Sequence, residues 1–246
     1  MTRYVSSKWK KTAALMKDRE LSEYLPETVK LSKSSLHALL RKYDMVYAKP
    51  VVGMHGNGVM RVERTTDGYH YQLKEKVRSF SQYEDMYRSI SKHTSKKPYL
   101  VQKGIRLLKY NGRRFDLRVM AQFAPDRQWE TTGIIGRVAA KNRIVTNFHG
   151  GGMLVSANRL LAEHTSHVYP KLYSLARLGA RAGKAMQRTF PGVYEVGLDV
   201  ALDQSLRPWI LEVNTSPDPY IFKKLSDKSI FKRMMRYKKQ YPKKKA

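Results

Sequence analysis

Two stretches near the C-terminal end alternate apolar and polar residues one by one, and this period of two constrains the fold more than any other feature. In 193–202, Tyr194, Val196, Leu198 and Val200 share one face, and Glu195, Gly197 and Asp199 share the other. From 208 onward, Trp209, Leu211 and Val213 share a face opposite Glu212 and Asn214. Such alternation belongs to strands of a half-buried sheet. The turn residues Asp203 and Gln204 between them make an antiparallel pair the expected arrangement. Pairing brings Asp199, Glu212 and Asn214 to one surface. Two carboxylates and an amide oxygen are hard donors suited to Mg2+, which keeps waters and takes its remaining ligands from substrate phosphates. A strand pair with merely solvated polar residues gives the same pattern and stays open at this point.

The rest of the chain reads as further strands with a few helices. The pattern predicts a Ser-capped helix over 34–43, strands over 45–52, 59–63 and 69–73, a helix over 81–90 and a strand over 99–103. In 115–123, Leu117, Val119, Ala121 and Phe123 oppose Asp116, Arg118 and Gln122, and a hairpin leads to 128–138. The longest helix is expected over 170–190, with Leu172, Leu175, Ala176, Gly179, Ala182 and Met186 on one face. Residues 1–30 are polar and basic without a strong period, and no internal repeat occurs. The expected class is α+β with mainly antiparallel sheet.

Composition removes several functions. The 246 residues hold 48 Lys+Arg against 20 Asp+Glu, a net charge of +28. With 41% hydrophobic residues and 16 Tyr, the chain is not a disordered polyelectrolyte. The absence of Cys excludes disulfides, a thiolate zinc site and a cysteine nucleophile. No apolar run approaches the ~18 residues of a membrane span, and residues 1–20 lack the apolar core of an export signal. A cytosolic soluble protein is expected. Residues 223–246 carry eleven basic residues and one acid. This stretch either docks a polyanion, stays a solvated tail that aids solubility, or forms a helix that packs Ile230, Phe231, Met234 and Met235. A nucleic-acid-binding module is a third candidate function, but the interleaved aromatics or recognition helix it needs are missing.

Two Gly-rich turns are candidates for phosphate contact. Lys49 precedes Pro50 on a strand that runs into Gly53-Met54-His55-Gly56-Asn57-Gly58, and Gly150-Gly151-Gly152 follow Asn147. Glycines let backbone N–H groups approach phosphate oxygens, and a neighbouring Lys offsets charge. The spacing is not that of a P-loop, and strands flank the first turn on both sides, so a hairpin flap or a plain hairpin is expected. Arg118 and Arg137, on separate strands, could reach a transferred phosphate or remain surface groups.

Taken together, these segments resemble the ATP-grasp superfamily over residues 35–220. VYAKPVVGMHGNGVMRV resembles its flap strand, YLVQKGI its hinge, RRFDLRVMAQF its Asp-x-Arg strand, TNFHGGG its Asn-x-x-Gly-Gly loop, and VGLDVAL with PWILEVNTSP its metal-binding end. Five segments in matching order are far more specific than any one alone. LPETVKLSKSSLHALLRKYDMVYAKP resembles the YheC/YheD type from endospore-forming bacteria.

The resemblance implies two α+β subdomains with mainly antiparallel sheets clasping ATP between them. It divides the chain into a basic N-terminal segment (1–34), an ATP-grasp domain (35–222, with a flap and hinge part over 45–105 and a metal-site part over 106–222) and a basic tail (223–246). By position, Lys49 matches the phosphate-binding lysine, Gly56 and Gly58 the flap, and Gln102 and Lys103 the adenine hinge. Ile105 would pack on the base, Arg118 lies near the reacting phosphate, and Asn147 belongs to the phosphate loop. Asp199, Glu212 and Asn214 match ligands of Mg2+, with Mn2+ as an alternative. The implied activity is a carboxylate–amine ligase working through an acylphosphate, in a spore or spore-coat setting. The alternative is a spore-associated structural protein that keeps the fold without catalysis. The implied partners are ATP, a carboxylate, an amine, and an anionic polymer or spore layer held by the basic tail. Two departures stand out. Only residues 1–44 precede the flap strand, where relatives usually carry a preATP domain, and Arg106, Leu107 and Leu108 follow the hinge where many relatives place an acidic ribose contact.

Overall fold

A computed structural model describes residues 4–54, 56–146 and 151–242. Two sheets, antiparallel at every described pairing, face each other across a cleft, as the α+β expectation requires. Helices α1 (Lys8–Met16) and α2 (Arg19–Ser22) and strand β1 (Thr28–Lys30) come first. Read from sequence as a basic segment ahead of the fold, these residues are woven into both halves. Ala14, Leu15 and Leu21 enter the larger core, and β1 pairs with β6 (Tyr99–Lys103). The buried side of α1 also carries Lys8 and Lys11, which breaks the apolar pattern that would have announced the helix.

The first sheet has the order β1-β6-β2-β3-β4-β5, with β2 (Met45–Pro50), β3 (Met60–Thr65), β4 (Gly68–Leu73) and β5 (Lys76–Phe80). Helices α3 (Lys33–Tyr43) and α4 (Tyr83–Thr94) cover one face. Helix α3 starts in a capping box, with Ser32 and Ser35 each accepting the other's backbone N–H. Alternation then divides β2 cleanly. Val46 and Ala48 join the helix-side core, while Tyr47 and Lys49 face the cleft.

The second sheet has the order β10-β9-β8-β11-β12, and β7 (Lys109–Tyr110) pairs with the start of β8 (Arg113–Phe123). Its other strands are β9 (Trp129–Val138), β10 (Met153–Ser156), β11 (Glu195–Leu202) and β12 (Pro208–Asn214). Helices α5 (Ala157–Ala162) and α6 (Val168–Thr189) cover the face built from Leu117, Val119, Val196, Leu198 and Val200. Two glycines let α6 lie close to the sheet. A Cβ at Gly183 would strike the Trp129 ring, and one at Gly179 would strike Thr131 and Val119. The basic C-terminal stretch folds over 228–239 as α7 (Lys228–Lys239), following a 3-10 turn, Tyr220–Lys224. Phe222 and Met234 cover Met120 and Ile135 on the opposite face of the sheet. Among the described residues, no helix is long and apolar enough to cross a membrane.

One expectation about faces fails. Trp209, Leu211 and Val213 do not share a side, because Asp199 pairs with Glu212 while Val200 pairs with Ile210. Leu211 is the extra residue of a β-bulge. The shift puts Ile210 into the core with Val213 and turns Leu211 to the cleft.

Candidate functional site

The cleft between the sheets encloses about 300 Å3. On the second sheet its floor is a group of charged residues placed by strand register. Arg137 on β9 is opposite Asp116 on β8, Arg118 on β8 is opposite Asp199 on β11, and Asp199 is opposite Glu212 on β12. Arg118 Nε donates to Asp199 Oδ1 at 2.8 Å, and Arg137 approaches Asp199 Oδ2 at 3.0 Å. Arg137 also grips both oxygens of Asp116 with its Nε and a terminal nitrogen. Cross-strand neighbours on one face stand close enough for such pairs to form without distorting the backbone.

Helix α1 brings two more cations to this group. Lys8 Nζ lies 3.2 Å and Lys11 Nζ 3.5 Å from Glu212 Oε1. Lys8 Nζ also donates to the carbonyl of Gly53 at 2.8 Å, so one ammonium joins the Gly-rich loop to the acidic strand. The α1 segment is anchored at both sides of the cleft, since Lys8 N donates to Val51 O at 2.8 Å and Val5 N donates to Thr215 Oγ1 at 2.9 Å.

The first sheet contributes Lys49. Its Nζ donates to Gln102 Oε1 at 2.6 Å and crosses the cleft to the Leu211 carbonyl at 2.9 Å. The bulge at Leu211 is what presents that carbonyl. Gln102 is held in turn by donating to Thr28 Oγ1 at 2.9 Å. Burial pushes Lys49 down to about 8 against the partial compensation of Glu212. Lys11 is also lowered by burial, with Glu212 working the other way. Burial works to raise Asp199, but Arg118 and Arg137 outweigh it and hold the carboxyl below its usual range. Arg137 shows the mirror effect, with burial overcome by Asp116 and Asp199.

Of the residues singled out from sequence, Lys49, Gly56, Gln102, Lys103, Ile105, Arg118, Asp199, Glu212 and Asn214 line this one cleft. The Lys103 ammonium rests 5.0 Å from the Tyr43 ring centre and 4.5 Å from that of Trp209. Ile105, with Leu107 and Tyr47, supplies an apolar wall. Gly58 stands behind the lining. At φ +76 it takes a conformation that favours glycine, and a Cβ there would come within 2.6 Å of the Tyr99 hydroxyl. Asn147 lies outside the described residues.

Among the described residues, no three His, Cys, Asp or Glu side chains gather as a metal-ligand group. The expected donor set is smaller, with Asp199 and Glu212 paired across adjacent strands and the Asn214 amide two residues beyond Glu212. Its all-oxygen chemistry fits Mg2+, which needs few protein ligands when phosphates complete the shell. Lys8 and Lys11 now hold the Glu212 oxygen that such an ion would take. Sequence reasoning missed these two lysines. Their spacing of three places them on the same helix face as the buried Ala14 and Leu15, an unusual setting for lysine and the signal that could have found them.

A family model described as YheC/D like ATP-grasp matches residues 1–244. Endospore coat-associated protein YheD of Bacillus subtilis (strain 168) is 26% identical over 223 residues, covering 88% of this chain and 49% of that protein. Endospore coat-associated protein YheC of the same organism is 24% identical over 226 residues, covering 87% of this chain and 61% of that protein. The chain thus spans only part of the length of either relative. Among solved structures, the C-terminal domain of K. lactis Pby1, an ATP-grasp enzyme interacting with the mRNA decapping enzyme Dcp2, superposes with a TM-score of 0.54 at 14% identity, over 95% of this chain and 72% of that one. This likeness shows a shared fold.

Proposed function

The chain belongs to the YheC/D-like ATP-grasp family, and from that premise we propose that its cleft binds Mg-ATP and activates a carboxylate for attack by an amine. The observation that carries this reading is the gathering of five cations around two acids inside one cleft: Lys8, Lys11, Arg118 and Arg137 pair with Asp199 or Glu212, and Lys49 reaches the Leu211 carbonyl beside Glu212. Such an arrangement suits a polyphosphate with a divalent ion. In this reading 45–105 and 106–222 act as the two lobes, and α1 belongs to the working unit as well.

The roles follow from charge and position. Lys49 and the two lysines of α1 neutralise phosphate oxygens. Arg118 sits beside Asp199 to offset charge that develops on the transferred group. Arg137 keeps Asp199 ionised and fixed. Asp199, Glu212 and Asn214 would hold Mg2+, which when bound supplies further neutralisation across the phosphates. The loop with Gly56 and Gly58 acts as the flap that excludes water, and Asn147 belongs with the phosphate contacts. Ile105, Tyr47 and Leu211 offer the base an apolar slot, with Gln102 and Lys103 at its hinge. Phosphoryl transfer of this kind depends on positioning and electrostatics rather than on a side-chain nucleophile, which suits a chain without Cys. A carboxylate oxygen attacks the γ-phosphorus and the bond to the bridging oxygen breaks, releasing ADP. The amine nitrogen then attacks the acyl carbon, releasing phosphate and a proton.

The test is ADP release from Mg-ATP in the presence of pooled amino acids and acidic peptides, with Glu212→Ala as control. Turnover by the wild type and its loss in the variant support the ligase. Equal release by both proteins excludes it. A second reading, a coat-associated structural protein that binds nucleotide without turnover, draws on the names of the two Bacillus subtilis relatives. It predicts spore localisation with no ADP release against the same pool.

A further inference from the structure

Helix α7 carries a row of charge that the cleft does not use. Exposed Lys228, Lys232, Arg236 and Lys239 recur every three or four residues, within about 80° of arc at 100° per residue, on the side away from the buried Met234 and Tyr237. The row runs roughly 16 Å along the helix. Only one acid lies between residues 219 and 242, Asp227, and its carboxylate accepts the Ser229 N–H at the start of α7. The row therefore has no acidic partner on its own element. Glu195, on the strand beneath, is buried and taken by Lys238 on the side of the helix.

The row is continuous with the rim of the cleft. Lys228 Nζ donates to the carbonyls of Lys223 and Leu225, tying the helix to the 3-10 turn. Exposed Lys224 belongs to that turn, and its Ile221 lines the cleft. A basic path thus leads from the end of α7 to the cleft mouth. Met234 and Ile230 of α7 pack with Met120 and Ile135, so the apolar face they form is turned to the sheet and away from any lipid surface.

We infer that the exposed face of α7 and the 3-10 turn form a docking track for an acidic polypeptide, which presents one of its carboxylates to the cleft. The choice among polyanions rests on the ligase reading. An acidic polypeptide supplies both the charge that docks and the carboxylate that is activated, whereas a nucleic acid supplies only the charge.

The test uses the whole chain and a fluorescein-labelled oligoglutamate, read by fluorescence anisotropy without nucleotide. The variant replaces Lys224, Lys232, Arg236 and Lys239 by Gln, and a second variant replaces the same four by Glu. The track predicts salt-sensitive binding to the wild type, about 10-fold weaker for the Gln variant and weaker again for the Glu variant at low ionic strength, with Mg-ATP affinity unchanged in both. Oligoglutamate affinity that ignores both variants overturns the track. So does a single-stranded DNA of equal charge that binds more tightly in the same variant-dependent way, which would make the surface a nucleic-acid site. Docking that follows the variants while no amine elicits ADP release supports the track and sinks the ligase. ADP release that proceeds without variant-dependent docking does the reverse.

Discussion

The two ends of the chain each form a lysine-rich amphipathic helix, and the fold uses them in opposite ways. Helix α1 turns Lys8 and Lys11 inward, where Glu212 and the carbonyl of Gly53 receive them. Helix α7 buries Met234 and Tyr237 and leaves its cationic row in solvent. Similar composition therefore yields a fixed electrostatic part of the cleft at one end and a surface at the other. A net charge of +28 hides this division, because it counts a buried ammonium facing a carboxylate and a solvated one alike. An inward charge matters through its partners, whereas an outward one is screened within about a Debye length.

The largest expected effect tests whether inward charges are structurally committed. Arg137→Met leaves buried Asp116 without its two-pronged partner. Chemical denaturation should show a loss of about 3–5 kcal/mol. A loss near zero would mean that the charged group relaxes freely and is no fixed feature of the cleft.

Next comes the direct contrast between the helices. Replacing Lys8 and Lys11 together by Ala should weaken Mg-ATP binding about 100-fold, taking about 1.5 kcal/mol or somewhat less for each charge-assisted contact. The matching change at Lys232 and Lys239 of α7 should alter it by less than about 2-fold. Similar losses from both pairs would erase the distinction.

A smaller effect comes from pH. Lys49, lowered to about 8 by burial, is charged below that value and neutral above it. Affinity for ATP should therefore fall about 10-fold between pH 7 and pH 9 as the phosphate partner loses its proton. Lys49→Arg, charged throughout this range, should flatten the profile. Replacing Lys232 and Lys239 of α7 should leave this step in place. The smallest effect is the loss of the α7 cap. Asp227→Ala should lower the midpoint of thermal melts slightly and leave Mg-ATP affinity as it was.

Much of the site was legible because its strands alternate. Asp116, Arg118 and Asp199 show their cleft-facing side in the primary pattern, and the structure puts them on one floor. The parts that escaped depend on exceptions to a period. Lys8 and Lys11 occupy buried positions of α1 where apolar residues announce a helix, so the helix and its cations were hidden together. Leu211 sits at a bulge, and no alternation rule anticipates the residue that breaks the alternation. In the sequence a helix packing Ile230, Phe231, Met234 and Met235 is only one of the readings open for the basic tail, and its contact with the rim arises through the tertiary link from Lys228 to the 3-10 turn.

Isothermal titration of ATP with and without Mg2+, on the wild type and on Glu212→Ala, bears most directly on the cleft as a Mg-ATP site. Wild-type affinity should rise with Mg2+. In the variant Lys8 and Lys11 lose their carboxylate partner and remain free to meet phosphate, so ATP binding should persist while its dependence on Mg2+ disappears. The same Mg2+ dependence in both proteins would contradict the assignment of Glu212, and no ATP binding by the wild type would contradict the site itself.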